Sequence, residues 1–235
     1  MEQHHIALIR HGDYQQKKET PSALQPFPLT ATGRQQAQHC VAQLLDFAQK
    51  YQLSVDQHIH CSPLLRAWET ATIIGETLTE LNHSSHEIVE TPNLVERNVG
   101  AVANLTIAEI EEIIATDPRY RTPPTDWKSN SDYCLPFLGA ESLLQAGERV
   151  ANYIQSLSEQ ATKSTKPAKL TIVVGHGASI RHAAHHLGIL KKSDIKTLSM
   201  FHCGPVFISN KQQSGWTHVD GDWKVRSRFK QENID

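Results

Sequence analysis

His11 stands between Arg10 and Gly12, directly after the apolar run Ile6-Ala7-Leu8-Ile9. An imidazole held neutral at the end of a strand can attack phosphorus through one ring nitrogen, dividing a hard displacement into two easier ones. The guanidinium of Arg10 is a fork matched to phosphate oxygens. A second run, Leu170-Thr171-Ile172-Val173-Val174, leads in the same way into Gly175-His176-Gly177. The ring N–H of His176 can bind a phosphate oxygen, and the amides after it open a helix whose N-terminus suits an anion. Arg66 falls in the first turn of a helix announced by Ser62-Pro63, where a further positive charge adds to the field of the helix end. Glu96, in Leu94-Val95-Glu96-Arg97, has the chemistry of a proton donor: a carboxyl beside a bound phosphate is pushed toward its protonated form by like charge. Each of these residues also has a plainer reading. A lone His-Gly is more often a turn, a lone arginine a solvated surface group, His176 a satisfied core histidine, and Glu96 the ion-pair partner of Arg97.

The elements that must position these groups can be read from periodicity. Both apolar runs are buried strands followed by turns, which puts His11 and His176 at the strand ends where open α/β sheets build their sites. From Thr30 the apolar positions Ala37, Val41, Leu44 and Ala48 recur at helical spacing. Ser62 supplies an N-cap and Pro63 a first helical residue, ahead of Leu64, Ala67, Ala71, Ile74 and Leu78 and after the strand-like His58-Ile59-His60-Cys61. Thr106 and Glu109 fit a capping box, predicting a short helix over 106–116. Residues 117–139 hold Pro118, Pro123, Pro124 and Pro136 without sustained period and read as an irregular excursion. A helix resumes at Ser142 through Leu143, Ala146, Val150, Ile154 and Leu157 and gives way to a polar linker at 158–169. Ile180, Ala183, Ala184 and Leu187 mark the helix after Gly177. Gly204-Pro205-Val206-Phe207-Ile208-Ser209 reads as a late strand, and the tail after Gln231 as frayed.

The whole chain sets bounds. Its 235 residues suit one α/β domain, and 39% hydrophobic with 20% charged residues is the balance of a packed globule. A formal charge of −2 gives no general attraction to nucleic acid or anionic membrane, so anion binding must come from locally placed Arg and Lys. No segment approaches the roughly 20 apolar residues of a membrane span, and no leader pattern precedes His5; the expectation is a cytoplasmic protein. Cys40, Cys61, Cys134 and Cys203 are scattered and read as reduced thiols. The 14 His residues include neither an HExxH motif nor a Cys/His ligand cluster, so no metal is expected.

Five segments in order resemble the histidine phosphatase superfamily, the phosphoglycerate-mutase-like proteins of its branch 1. They are Leu8-Ile9-Arg10-His11-Gly12; Pro28-Leu29-Thr30 through Gly33 to Ala37; Ser62-Pro63-Leu64-Leu65-Arg66 to Ala71; Leu94-Val95-Glu96-Arg97-Asn98-Val99-Gly100; and Val174-Gly175-His176-Gly177 to Arg181. Gly139-Ala140-Glu141-Ser142 resembles the family's turn before a helix. The resemblance implies a three-layer α/β fold, a mixed and mostly parallel sheet with helices on both faces. It implies a single domain over 1–235 with a substrate-capping excursion at about 98–140. It matches His11 to the nucleophile, Glu96 to the general acid and base, and Arg10, Arg66 and His176 to the phosphate pocket, with no metal and no cofactor.

The departures favour a phosphomonoester hydrolase over a bisphosphoglycerate-dependent phosphoglycerate mutase. Asp13-Tyr14-Gln15-Gln16-Lys17 replaces the Trp-Asn pair of the mutase branch, the paired arginines that hold phosphoglycerate there are missing, and Asn104 stands where a Gly commonly follows the acid motif. Gln15, Gln16 and Lys17 are candidates to complete the pocket. Arg119, Tyr120, Arg121 and Trp127 are candidates for substrate contact, with loop packing the weightier reading. A catalytically idle phospho-ligand binding module is the third reading, against which stands the joint presence of His11, both arginines and Glu96. The expected partner is a small phosphorylated substrate or a phosphoprotein, with no nucleic acid and no membrane. Edge strands or the segment 201–209 are where a homodimer would form.

Overall fold

The computed structural model of the chain describes residues 4–162, 168–211 and 215–226. Strand β1 (His4–Arg10) is buried along its whole length. Ala7 and Ile9 enter one apolar layer and Ile6 and Leu8 the other, as the two-residue period of a strand covered on both faces requires.

Helix α1 (Ala31–Lys50) begins where the Thr30 hydroxyl accepts the Gly33 N–H at 3.0 Å. It buries Ala37, Val41, Leu44 and Ala48, the stripe its spacing predicts. β2 (Ser54–Cys61) leads to α2 (Leu65–Asn82). This helix starts later than Ser62-Pro63 suggests, and no side chain caps it. The Ser62 hydroxyl is committed elsewhere, accepting the Leu64 N–H and meeting His176. β3 (Glu87–Glu90) follows, then a 3₁₀ turn over Pro92–Leu94. α3 (Ile107–Thr116) carries the expected capping box of Thr106 and Glu109.

Residues 117–139 contain no helix or strand. They fold over α3 through an apolar cluster that joins Ile110 and Ile114 to Trp127 and Leu135. α4 (Leu143–Thr162) opens with reciprocal bonds between Ser142 and Gln145 and runs into the stretch expected as linker. Residues 163–167 of that linker, and the tail after Gln231, lie outside the described residues. The chain continues through β4 (Lys169–Gly175), α5 (Gly177–His186), α6 (Lys192–Ile195), β5 (Leu198–Ser199), β6 (Val206–Lys211), β7 (Gly215–Asp220) and β8 (Lys224–Val225).

The main sheet has the order β3-β2-β4-β1-β6-β7. The first four strands are parallel, and β6 and β7 are antiparallel additions. α1 and α2 cover one face around Leu44, Ala71 and Ile74; α4 and α5 cover the other around Val150, Ile154, Ile180 and Ala183. The fold is therefore the mixed, mostly parallel three-layer α/β arrangement. Among the described residues β6 lies inside the sheet between β1 and β7, and the sheet's edges are β3 and β7.

Candidate active site

Three neighbouring strands deliver the centre. β2, β4 and β1 lie side by side, and their carboxyl ends lead directly into Ser62, His176 and His11. The His11 N–H bonds Gly175 O at 3.0 Å, and the Ser62 N–H bonds Val174 O at 3.0 Å, so the ladders hold these residues in register. The turn after His11 packs backbone on backbone. A Cβ at Gly12 would come within 2.6 Å of Gly33 O, and one at Gly33 within 1.9 Å of Asp13 O, which only glycine tolerates.

The His11 ring is assigned by its partners. Nδ1 lies 2.8 Å from Gly12 O, an acceptor, so Nδ1 carries the proton. Nε2 receives the Arg66 Nε–H at 3.2 Å and therefore presents a lone pair. Burial, then Arg66, His176 and Arg10, hold the His11 pKa well below the ordinary value, so the ring is neutral. His176, its ring centre 5.1 Å away, is also held neutral, by burial first and then by the two arginines. Its Nε2 lies 2.8 Å from the Ser62 hydroxyl. That hydroxyl also accepts the Leu64 N–H, and with one hydrogen and a second lone pair it can pair with either tautomer of the ring. Nδ1 is buried with no hydrogen-bond partner among the described residues.

Arg66 is wholly buried, and its guanidinium lies 4.7 Å from the Tyr14 ring centre. Besides His11 it donates to Gln25 O at 2.8 Å, Ala23 O at 3.0 Å and Ser22 O at 3.4 Å. Backbone carbonyls of the loop 20–25 thus hold the nitrogens that sequence reasoning gave to phosphate. Arg10 donates to Met200 O at 3.2 Å. Its side chain crosses the start of α5, where a Cβ at Gly177 would come within 3.0 Å of Arg10 Cδ.

Glu96 follows β3 and accepts three backbone N–H groups: Arg97 at 2.9 Å, Ser179 at 3.0 Å and Ala178 at 3.3 Å. The helix N-terminus expected to cradle phosphate is therefore filled by this carboxylate, because a side-chain anion already beside the free amides satisfies them. That correction also explains how Glu96 reaches the centre.

The structure brings His11, Arg10, Arg66 and His176 together. A cavity of about 390 Å³ opens beside them, with Glu96, Ala178 and His202 on its wall. Ser22 and Ala23, from the loop that holds Arg66, form another part of its lining. Gln16 and Lys17 line it and Gln15 does not; nor do Arg119, Tyr120, Arg121 or Trp127. Trp127 packs in the excursion's apolar cluster with its indole N–H on Glu111, and Arg119 pairs with Asp117. Ile107 and Lys128 are the excursion's contributions to the wall.

Sequence reasoning missed four participants. Tyr14 carries the Arg66 stack. Gln25 ties the loop together through the Lys17 N–H and the Thr20 and Pro21 carbonyls. His202 lies 5.7 Å from the His11 ring, and Ser62 orients His176. The one available signal was a histidine just before the Gly204-Pro205 turn into the late strand. Among the described residues no group of three or more His, Cys, Asp or Glu is arranged to hold a metal. No helix among them is long and apolar enough to cross a membrane.

The chain is thus of the α/β class, with two histidines at adjacent strand ends, a buried arginine and a glutamate on the free amides of a helix start gathered at one place. The chain belongs to the histidine phosphatase superfamily (branch 1), whose family model matches residues 6–219. Solved structures agree on the fold. A mycobacterial glucosyl-3-phosphoglycerate phosphatase is 20% identical with a TM-score of 0.67, over 96% of this chain and 100% of that one. The alpha-ribazole phosphatase of Shigella flexneri is 21% identical at 0.67, over 95% and 98%. A phosphoserine phosphatase of Entamoeba histolytica is 20% identical at 0.64, over 92% and 95%. No curated protein sequence matches the chain.

Proposed function

We propose that this chain is a metal-independent phosphomonoester hydrolase that works through a phosphohistidine on His11. The observation that carries the reading is the His11 ring: neutral, its proton fixed on Nδ1 by Gly12 O, its Nε2 lone pair facing the arginine. The phosphatase names of the three similar structures support it.

In the first step the Nε2 lone pair forms a bond to phosphorus as the ester P–O bond breaks, and the leaving oxygen takes a proton from Glu96, which the like charge of the bound phosphate favours in its protonated form. The Arg66 Nε–H, which rests on that lone pair in the unliganded site, passes to a phosphate oxygen. Arg10, Arg66 and the Nδ1–H of His176 carry the charge on the remaining oxygens, in a setting where fixed donors act with little water. In the second step the Glu96 carboxylate takes a proton from water, the water oxygen bonds to phosphorus, and Nε2 is released. The proton lent in the first step is thereby recovered.

The direct test is phosphate release from p-nitrophenyl phosphate in EDTA, with His11→Ala alongside. Wild type turns over and the variant loses at least about a thousandfold. Protein quenched during turnover carries phosphate that is stable in alkali and lost in acid. An acid-stable label, or activity restored only by a divalent metal, would falsify the assignment.

A further inference from the structure

Arg149, on α4, is held by two sets of acceptors from different parts of the chain. Its Nη1 donates to Asn93 O at 2.8 Å, Val95 O at 3.1 Å and Pro92 O at 3.3 Å. Its Nε and Nη2 donate to the two carboxylate oxygens of Glu141, at 2.9 and 2.8 Å. The Glu141 carboxylate also accepts the Asn98 N–H at 3.1 Å, and the Glu141 N–H donates to Asn98 O at 2.8 Å. The two side chains are 21% and 23% exposed, so this paired fork is better shielded than a surface ion pair and holds its geometry.

These bonds bracket the segment that carries Glu96. The guanidinium grips residues 92, 93 and 95 and the carboxylate grips residue 98, which leaves Glu96 and Arg97 as a short span between two anchors. Pro92 and Asn93 belong to a 3₁₀ turn, and the carbonyls at the end of such a turn need partners from outside it. Leu94, between them and Val95, is buried in the same apolar layer as Val150, the residue after Arg149. Beyond Glu96 the pair closes the base of the excursion, where Val99 bridges Ala140. Neither Arg149 nor Glu141 lines the 390 Å³ cavity, so the pair does not act by touching what the cavity holds. What it controls is where the backbone puts Glu96, whose carboxylate meets the α5 amides at the far end. A displacement of about 1 Å caused far from the chemistry can cost about a hundredfold in rate.

We infer that Arg149, with Glu141 as its partner, is a positioning residue for Glu96: it fixes the backbone on both sides of the glutamate and so the reach of its carboxyl toward the leaving oxygen. The inference rests on the proposed role of Glu96 as proton donor. It requires the planar fork and not only the charge, because an ammonium cannot hold three carbonyls on one side and both oxygens of a carboxylate on the other.

The test uses two leaving groups, because lost proton donation costs most when the departing oxygen is strongly basic. kcat/KM covers the step in which the alcohol departs. It is measured for p-nitrophenyl phosphate, whose leaving group needs little protonation, and for phenyl phosphate, whose leaving group needs more. The proteins are wild type, Arg149→Gln, Arg149→Lys, Glu141→Gln and Glu96→Gln, each with a thermal melt. Arg149→Gln and Arg149→Lys lose about tenfold more on phenyl phosphate than on p-nitrophenyl phosphate, in the same sense as Glu96→Gln. Glu141→Gln, which keeps an acceptor for the Asn98 N–H, shows the same selectivity to a smaller extent and carries the test if the arginine variants do not fold. Arg149→Gln added to Glu96→Gln brings no further selectivity. Equal losses on the two esters in folded Arg149 and Glu141 variants, with Glu96→Gln selective, overturn the inference and leave the proposed function standing, since a purely structural role lowers both rates alike. An unselective Glu96→Gln protein, or a wild type inactive on both esters, counts against the proton-donor reading itself, and the role given to Arg149 falls with it.

Discussion

At the scale of single residues, the centre depends on where protons sit. Ser62 is the clearest case, because its hydroxyl meets Nε2 of His176 and leaves Nδ1 as the ring nitrogen without a partner among the described residues. Ser62→Ala removes that hydrogen bond and with it the hold on the ring's orientation. The expected loss in kcat/KM is roughly tenfold, about 1.4 kcal/mol, while the fold stands. Steady-state kinetics with a thermal melt checks this; an unchanged rate in a folded variant would show that this hold on the ring does not matter. His11, His176, Arg10, Arg66 and Glu96 were all legible in the sequence because each sits at a strand end, a helix start or a motif of fixed order. Tyr14, Gln25 and His202 were not, since they act through a ring face, a loop's internal bonds and a turn that only the folded chain brings near. Ser62 was read for its position and given the wrong task. A serine before a proline is a good cap, but the histidine it meets comes from a strand far along the chain.

Among the elements, the loop 20–25 has the most to say about behaviour. Its three carbonyls hold the Nη1 and Nη2 nitrogens of Arg66, and a phosphate that takes those nitrogens as well as Nε must exchange places with them. Exchange of one set of oxygens for another changes bonding energy little, but the loop has to open first. The observed rate of orthovanadate binding in stopped-flow experiments should therefore level off at high concentration, at the opening rate. A rate that climbs linearly throughout would mean that the carbonyls give way without a separate step. The long helices and the two buried strands were legible because burial on one stripe or on both faces leaves a strong period. β3 and β7 were missed, being sheet-edge strands with mostly polar, half-exposed residues. The excursion was legible only as an absence of period. Its order comes from Trp127 and Leu135 packing on α3, a tertiary fact with no local signature.

For the whole molecule, the histidines set the response to acid. His4 is lowered to about 4 and His182 to about 3, chiefly by burial. His5, His60, His86, His11 and His176 are lowered as well. In the unfolded chain each titrates near 6.5, so as pH falls the unfolded state takes up protons first. The contribution is intact above pH 6.5 and is lost progressively between 6.5 and about 3 to 4. His4 and His182, both buried, each account for up to about 1.4 kcal/mol per pH unit. Urea unfolding at pH 7.5 and pH 5 should show a clear loss at the lower value, with more than about one proton taken up on unfolding; stability that is flat or greater at pH 5 would contradict the burial of these rings. The same architecture has a consequence for the order in which the chain is made. His11, Arg66 and Glu96 are all synthesised early, but the strand that carries His176 and the amides that hold Glu96 come only with β4 and the start of α5. A growing chain therefore holds His11, Arg10 and Arg66 without His176 for most of its synthesis, and the complete candidate site exists only once β4 has taken its place between β1 and β2.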